Sequence, residues 1–290
     1  MLDFLQAVSD GVLFGATYAL IGIGFTLVFG VMHKLNLSYA AASVGGAYAG
    51  LLILKAFLAS TPAWLVFVGA FLAGGALGWL VYLTCFHFIP LSNPLAPLMS
   101  TMGMLLLIDE IIVHVTAGMP QNHPALFDDV MLRVGEFTLR GDLLFIFAVA
   151  VLSMAGLLAL LHRTRLGLAT RAVSQQAVAA QLCGIRVARV NAATFVITGL
   201  LGGLAGSLIG ASVGALSPLL TTPLTIKGLI VTVIGGLGSI PGAIVAGLLV
   251  GGLENVFQQF RGVTERDLYV MLLLFAFLVF RPGGLFPPRN

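Results

Sequence analysis

Residues 12–32 carry no charge, residues 143–161 carry none, and residues 190–226 contain no ionisable group at all. One bilayer crossing takes about 20 apolar residues, so each of these runs can span a membrane. A soluble core is a poor alternative. Only 9% of the 290 residues are charged and 59% are hydrophobic, with a mean hydropathy of +1.08. An ordinary soluble domain carries about 25% charged residues. The first run does not read as a cleaved leader: the chain opens Met1-Leu2-Asp3, with acid where a signal peptide carries base, and the run is too long. The expected fold is an all-α polytopic membrane protein, a single domain over residues 1–290 with eight or nine transmembrane helices.

The apolar segments predict spans near 5–31, 37–59, 64–88, 96–117, 143–162, 190–213, 227–237, 242–257 and 268–280. Residues 163–189 hold Arg163, Arg165, Arg171, Arg186 and Arg189 with no acid. The positive-inside rule assigns them to the cytoplasm. Residues 118–142 hold Asp128, Asp129, Glu136 and Asp142 against Arg133 and Arg140, which assigns them to the outside. Parity then puts the N-terminus outside and the C-terminus inside. Residues 130–139 alternate and predict a small hairpin on the outer loop. Pro218, Pro223 and Pro241 interrupt the pattern over 214–257, because proline removes a backbone donor. Short, broken or re-entrant helices are expected there.

Glycine is abundant (36 residues), and much of it lies inside apolar runs at spacing four: Gly11/Gly15, Gly46/Gly50, Gly74/Gly78, Gly202/Gly206/Gly210/Gly214 and Gly247/Gly251. That spacing cuts a groove along one helix face, so helices approach closely. The turn at Gly235, Gly236, Gly238, Pro241 and Gly242 reads either as a hinge or gate beside a pathway or as a tight junction between packed short helices. Two cysteines and five scattered histidines supply neither a disulfide framework nor a metal spacing. No metal, cofactor or nucleic-acid partner is expected on this chain.

Asp109 and Glu110 fall near the middle of the fourth predicted span. Acids inside a membrane are costly and usually face a cavity or a partner, so both are pathway candidates as well as structural ones. Asn36, Ser38, Tyr39, Thr101 and Ser212 are polar groups in apolar surroundings, able to line a path or to bond between helices. Glu254 is explained by its place near the outer end of its span. A stand-alone secondary transporter or channel suits intramembrane acids and broken helices. An intramembrane enzyme needs a paired catalytic constellation, and none is legible.

Residues 174–182 predict a short helix, with Ser174 as N-cap and Gly184 as C-cap. It has no clear polar face, and such a helix is normally buried, yet it lies in the arginine-bearing loop. Either it packs on the chain's own helix ends, or another protein covers it.

Four stretches together resemble one family. They are Arg163-Thr164-Arg165-Leu166-Gly167 through Gly184-Ile185-Arg186-Val187-Ala188-Arg189-Val190; Tyr18-Ala19-Leu20 leading to Phe29-Gly30-Val31-Met32 and Asn36; Lys227 before Gly235-Gly236-Leu237-Gly238-Ser239-Ile240-Pro241-Gly242-Ala243; and Arg281-Pro282-Gly283-Gly284-Leu285-Phe286. In order and spacing the chain is similar to the LivH-type permeases of branched-chain amino acid ABC transporters. It departs after Asn36, with Leu37-Ser38-Tyr39-Ala40-Ala41 where the family usually runs Phe-Ala-His-Gly-Glu, and in having Gln175 and Gln176 where acids are usual.

The resemblance implies a multi-pass permease domain of the bacterial inner membrane, with 118–142 as periplasmic loop and 163–189 as cytoplasmic coupling loop. It implies no chemistry on this chain, which has no GxxxxGK[ST] phosphate loop; ATP and Mg belong to partner ATPases. The implied partners are two ATPase subunits, a second permease of LivM-like kind, a periplasmic solute-binding protein and the lipid bilayer. The implied ATPase contact is Arg171, Gln175, Gln176, Ala179, Gln181, Gly184 and Arg186.

Overall fold

The computed structural model describes residues 2–57, 62–89, 95–124, 131–134, 137–281 and 283–286. Its helices are α1 (Leu2–Met32), α2 (Tyr39–Phe57), α3 (Ala63–Tyr82) running into a π-helical turn (Leu83–His87), α4 (Leu95–Thr116), α5 (Gly141–Arg163), α6 (Arg165–Gln175), α7 (Ala177–Leu182), α8 (Val187–Val213), α9 (Thr221–Gly235), α10 (Ile240–Arg261) and α11 (Val263–Phe280). Short strands β1 (Gln121–Asn122), β2 (Met131–Val134), β3 (Phe137–Arg140) and β4 (Ala215–Leu216) lie between them. Among the described residues seven helical segments are long and apolar enough to cross a membrane, and α2 and α11 add two shorter apolar helices. The nine predicted spans correspond to these nine segments.

Successive spans alternate in direction. At one end the Tyr82 hydroxyl donates to the Ala188 carbonyl (3.0 Å) and the Leu285 amide to the Ile234 carbonyl (2.7 Å). At the other, Asn255 Nδ2 donates to the Ala7 carbonyl (2.9 Å) and Lys55 Nζ to the Asn122 carbonyl (3.2 Å). The first end carries α6, α7 and the C-terminal tail; the second carries the N-terminus and the strands. That is the parity the loop charges require.

Several glycine pairs pack backbone against backbone, while Gly202 and Gly206 of α8 pack against Ser43 of α2. A Cβ on Gly15 would lie 2.8 Å from the Gly247 carbonyl oxygen, and one on Gly251 would lie 2.3 Å from Gly15 Cα. Thus α1 and α10 cross backbone against backbone, as small residues permit in lipid. Gly74 and Gly78 of α3 do the same against Gly199 and Gly203 of α8, and Gly46 and Gly50 of α2 against Gly74 and Ala70. Gly214 is not a packing residue: it ends α8 at φ 78 with open space around it.

Over 214–257 the prolines begin helices instead of breaking them. Pro218 opens a 3-10 turn (Pro218–Leu220) capped by Ser217, and Pro241 lies in the first turn of α10, where the missing donor costs nothing. The helix α9 is short, 15 residues, but it is not re-entrant. It starts beside β4, which pairs with β1, and ends under the tail, so it runs the length of the bundle. The predicted hairpin forms, with Met131 opposite Arg140 and Val134 opposite Phe137; Val130, Gly135 and Glu136 lie outside the described residues.

Candidate functional site

At the α7 end, Thr164 leaves α5 in extended conformation and caps α6, its Oγ1 accepting from the Gly167 amide at 3.1 Å. Gly167, Thr170 and Val173 are buried against the bundle. Gln176 then turns extended (φ −156, ψ 104) and the shorter α7 follows. The predicted single helix over 174–182 is therefore two. Ser174 lies inside α6, donating to the Arg171 carbonyl (2.8 Å), and caps nothing. The break falls between Gln175 and Gln176, where the buried stripe of α6 ends, and it re-aims the chain so that α7 rests on Ala180 alone.

The end of α7 is a closed motif. The Ile185 amide reaches the Ala180 carbonyl and the Gly184 amide the Gln181 carbonyl, both at 3.0 Å, with Gly184 at φ 84. These paired bonds require a left-handed residue, which glycine adopts without strain. Cys183 takes the C-cap position and Gly184 follows it. Of the six α7 residues only Ala180 is buried; Val178 is 67% exposed and Leu182 86%. Packing on the chain's own helix ends thus accounts for one residue of the helix. Arg171, Gln175, Gln176, Ala179, Gln181, Gly184 and Arg186 are all exposed at this end.

The glycine turn is at the same end. Gly236 (φ 102) and Gly238 (φ 88) reverse the chain, and Ser239 Oγ caps α10 by accepting from the Gly242 amide at 3.3 Å. A Cβ on Gly242 would lie 2.0 Å from the Gly235 carbonyl oxygen. The tail closes over it: the Leu285 amide donates to the Ile234 carbonyl (2.7 Å) and the Phe286 amide to the Gly235 carbonyl (3.2 Å). Two separate sequence motifs are thus one structural unit, with the tail satisfying carbonyls left open at the end of α9. A cavity of about 110 Å³ separates Gly238 and Ile240 from Thr170, Arg171 and Ser174 of α6, so turn and loop are neighbours.

The pathway candidates do not gather in one place. Asn36, Ser38 and Thr101 are buried together near the α7 end: Ser38 Oγ donates to Asn36 Oδ1 (2.8 Å), and the Leu37 amide reaches Thr101 Oγ1 (3.4 Å). Tyr39 packs edge-on to Phe25 (5.0 Å) in the space left by Gly24 and Gly202. Asp109 and Glu110 lie about one turn past the middle of α4; Glu110 is exposed and Asp109 half-buried. Ser212 lines a cavity at the opposite end of the bundle.

Sequence reasoning missed a charged cluster inside the bundle. Lys227 Nζ lies 2.7 Å from Glu254 Oε1 and 3.2 Å from the Tyr18 hydroxyl, which itself donates to Glu254 Oε1 (3.2 Å). Lys227 is 7% exposed and Glu254 4%. The place of Glu254 near a helix end is therefore not its explanation: it neutralises a lysine on α9, and the cluster ties α1, α9 and α10 together. The available signal was one lysine and one glutamate of opposite sign, each alone in an apolar segment. Among the described residues no group of three His, Cys, Asp or Glu is placed to hold a metal.

A family described as branched-chain amino acid transport system / permease component matches residues 7–280. The high-affinity branched-chain amino acid transport system permease protein LivH of Escherichia coli (strain K12) is 30% identical, over 98% of this chain and 96% of that protein. The corresponding protein BraD of Pseudomonas aeruginosa is 30% identical, over 97% and 95%. A solved structure described as an inward-facing metal-chelate type ABC transporter superposes with a TM-score of 0.50 at 17% identity, covering 96% of this chain and 85% of that one; it shares the fold.

Proposed function

This chain belongs to the branched-chain amino acid transport permease family, and on that premise we propose how it works within its transporter. It is a multi-pass permease subunit of an ABC transporter. The finer reading is a bacterial inner-membrane importer of a small polar solute: a branched-chain amino acid, or a related amino acid, amide or small carboxylate. A periplasmic binding protein delivers the solute near 118–142. A LivM-like second permease completes the path. Two ATPase subunits, carrying ATP and Mg, dock on 163–189 in the cytoplasm.

The observation that carries this reading is α7. A six-residue helix showing Val178 and Leu182 to solvent, at an end of the bundle that bears five arginines and no acid between 163 and 189, calls for a covering protein. Burying such a side chain contributes about 1.5–3 kcal/mol. Docking of α7 in an ATPase cleft would let closure of the ATPase pair push α7 and α6 as one piece. The cavity between α6 and Gly238 leaves room for that piece to bear on the glycine turn. The result is a rigid-body shift between two packed arrangements.

The test is co-purification of the tagged chain with the products of its neighbouring genes in mild detergent. An ATPase and a second permease are expected to come down with it, and Ala179→Arg is expected to release the ATPase while leaving the second permease bound. A chain that purifies alone and moves solute without ATP sinks the proposal.

A further inference from the structure

A cavity of about 290 Å³ opens at the end of the bundle opposite α7, between α1, α5, α8 and α10. That is at the lower limit of the ~300–1,000 Å³ typical of small-molecule sites, so its occupant is about the size of an amino acid. Its charges are unevenly matched. Glu254 reaches it already neutralised by Lys227 at 2.7 Å. Arg140 reaches it held by Asp142 through Nε (3.2 Å) and Nη2 (2.6 Å). Those bonds leave Nη1 of the guanidinium for another acceptor. Asp10 of α1 lies on the same wall within electrostatic reach of Arg140 and Asp142, and its Oδ1 is buried with no hydrogen-bond partner. Phe14, Leu143 and Val213 supply an apolar wall beside these groups.

We propose that this cavity is a binding site for a small zwitterion, an α-amino acid with an uncharged apolar side chain. Asp10 takes the ammonium group and Nη1 of Arg140 takes the carboxylate. The side chain lies against Phe14 and Leu143. A buried carboxylate oxygen without a partner is costly, and a bound ammonium relieves that cost. Bidentate fixing by Asp142 holds the guanidinium in place, as carboxylate recognition requires. The site rests on the permease reading and deepens it, because it makes the permease itself select for both charges of the solute.

The experiment uses the purified full-length chain in detergent and, in parallel, the assembled transporter in proteoliposomes. The probes are leucine, leucinamide (no carboxylate) and 4-methylpentanoate (no ammonium). Leucine is expected to bind the wild-type chain about tenfold tighter than either analogue, the loss of one charge-assisted hydrogen bond. Asp10→Asn is expected to erase the preference for leucine over 4-methylpentanoate, and Arg140→Gln that over leucinamide. Asp10→Glu should restore the first preference. Equal binding of the three probes to the wild type, or no binding of leucine, overturns the site even if a variant fails to fold. Failure of the permease reading is separately visible as uptake into proteoliposomes that does not depend on ATP.

Discussion

Lys227 and Glu254, on adjacent antiparallel helices, face each other at 2.7 Å in the interior of the bundle, with the Tyr18 hydroxyl bonded to both. An ion pair away from water is held mainly by the cost of breaking it. Lys227→Met alone, or Glu254→Leu alone, leaves one charge buried and is expected to cost about 3–5 kcal/mol. The double variant is expected to lie closer to wild type than either single one. Thermal unfolding in detergent reads this directly, and additive losses would show that the pair is not coupled.

His123 lies outside the spans, just after β1, and is buried. Its Nδ1 is 3.1 Å from the Pro124 carbonyl and its Nε2 2.9 Å from Ser207 Oγ. A carbonyl only accepts, so Nδ1 carries the proton and Nε2 accepts from the serine. Burial pushes the imidazole down from its ordinary value of 6.5 to about 4. The folded protein therefore binds fewer protons than the unfolded chain between those values, and stability rises with pH there. The contribution is complete above about 6.5 and is lost as pH falls toward about 4. Melting temperature measured across that window should fall with acid, and His123→Gln should flatten the dependence.

Within the glycine turn two positions are expected to separate folding from movement. A side chain on Gly242 meets the Gly235 carbonyl oxygen at 2.0 Å, whereas one on Gly238 meets only Gly30 Cα at 3.6 Å. Gly242→Leu should abolish folded protein. Gly238→Ala strains a residue at φ 88 by about 1–2 kcal/mol and should still fold. A drop of tenfold or more in ATP-driven uptake by folded Gly238→Ala protein supports a hinge; unchanged uptake marks the turn as a junction only.

Gly284 lies at φ 79, and a Cβ there would be 2.5 Å from Gly236 Cα. Gly284→Val should lift the tail from α9 and leave the Ile234 and Gly235 carbonyls without their donors. Each unsatisfied buried group costs about 1–3 kcal/mol. Faster proteolytic removal of the tail, together with a lower melting temperature, is the expected result.

The span pattern was legible because lipid imposes a local rule: about 20 apolar residues for each crossing. The glycine pairs were legible for the same reason, since spacing four sets a face whatever lies opposite. What lies opposite was not legible. Nothing in Gly11 and Gly15 says that their partners are Gly247 and Gly251, more than 230 residues further on. Likewise the bond from the Leu37 amide to Thr101 Oγ1 depends on where α2 and α4 start relative to each other.

The sequence by itself determined that the chain lives in a membrane, where its apolar segments fall and which family it resembles. Those properties follow from composition, period and the order of motifs along one chain. Only the tertiary structure decided that Lys227 and Glu254 neutralise each other, that the tail completes the glycine turn, that the loop helix is two helices with α7 exposed, and that Asp10 and Arg140 share one cavity. Apart from the break between α6 and α7, each is a contact between segments distant in sequence. The energy of a buried charge or an open carbonyl is set by the atoms brought beside it, and no local pattern encodes those.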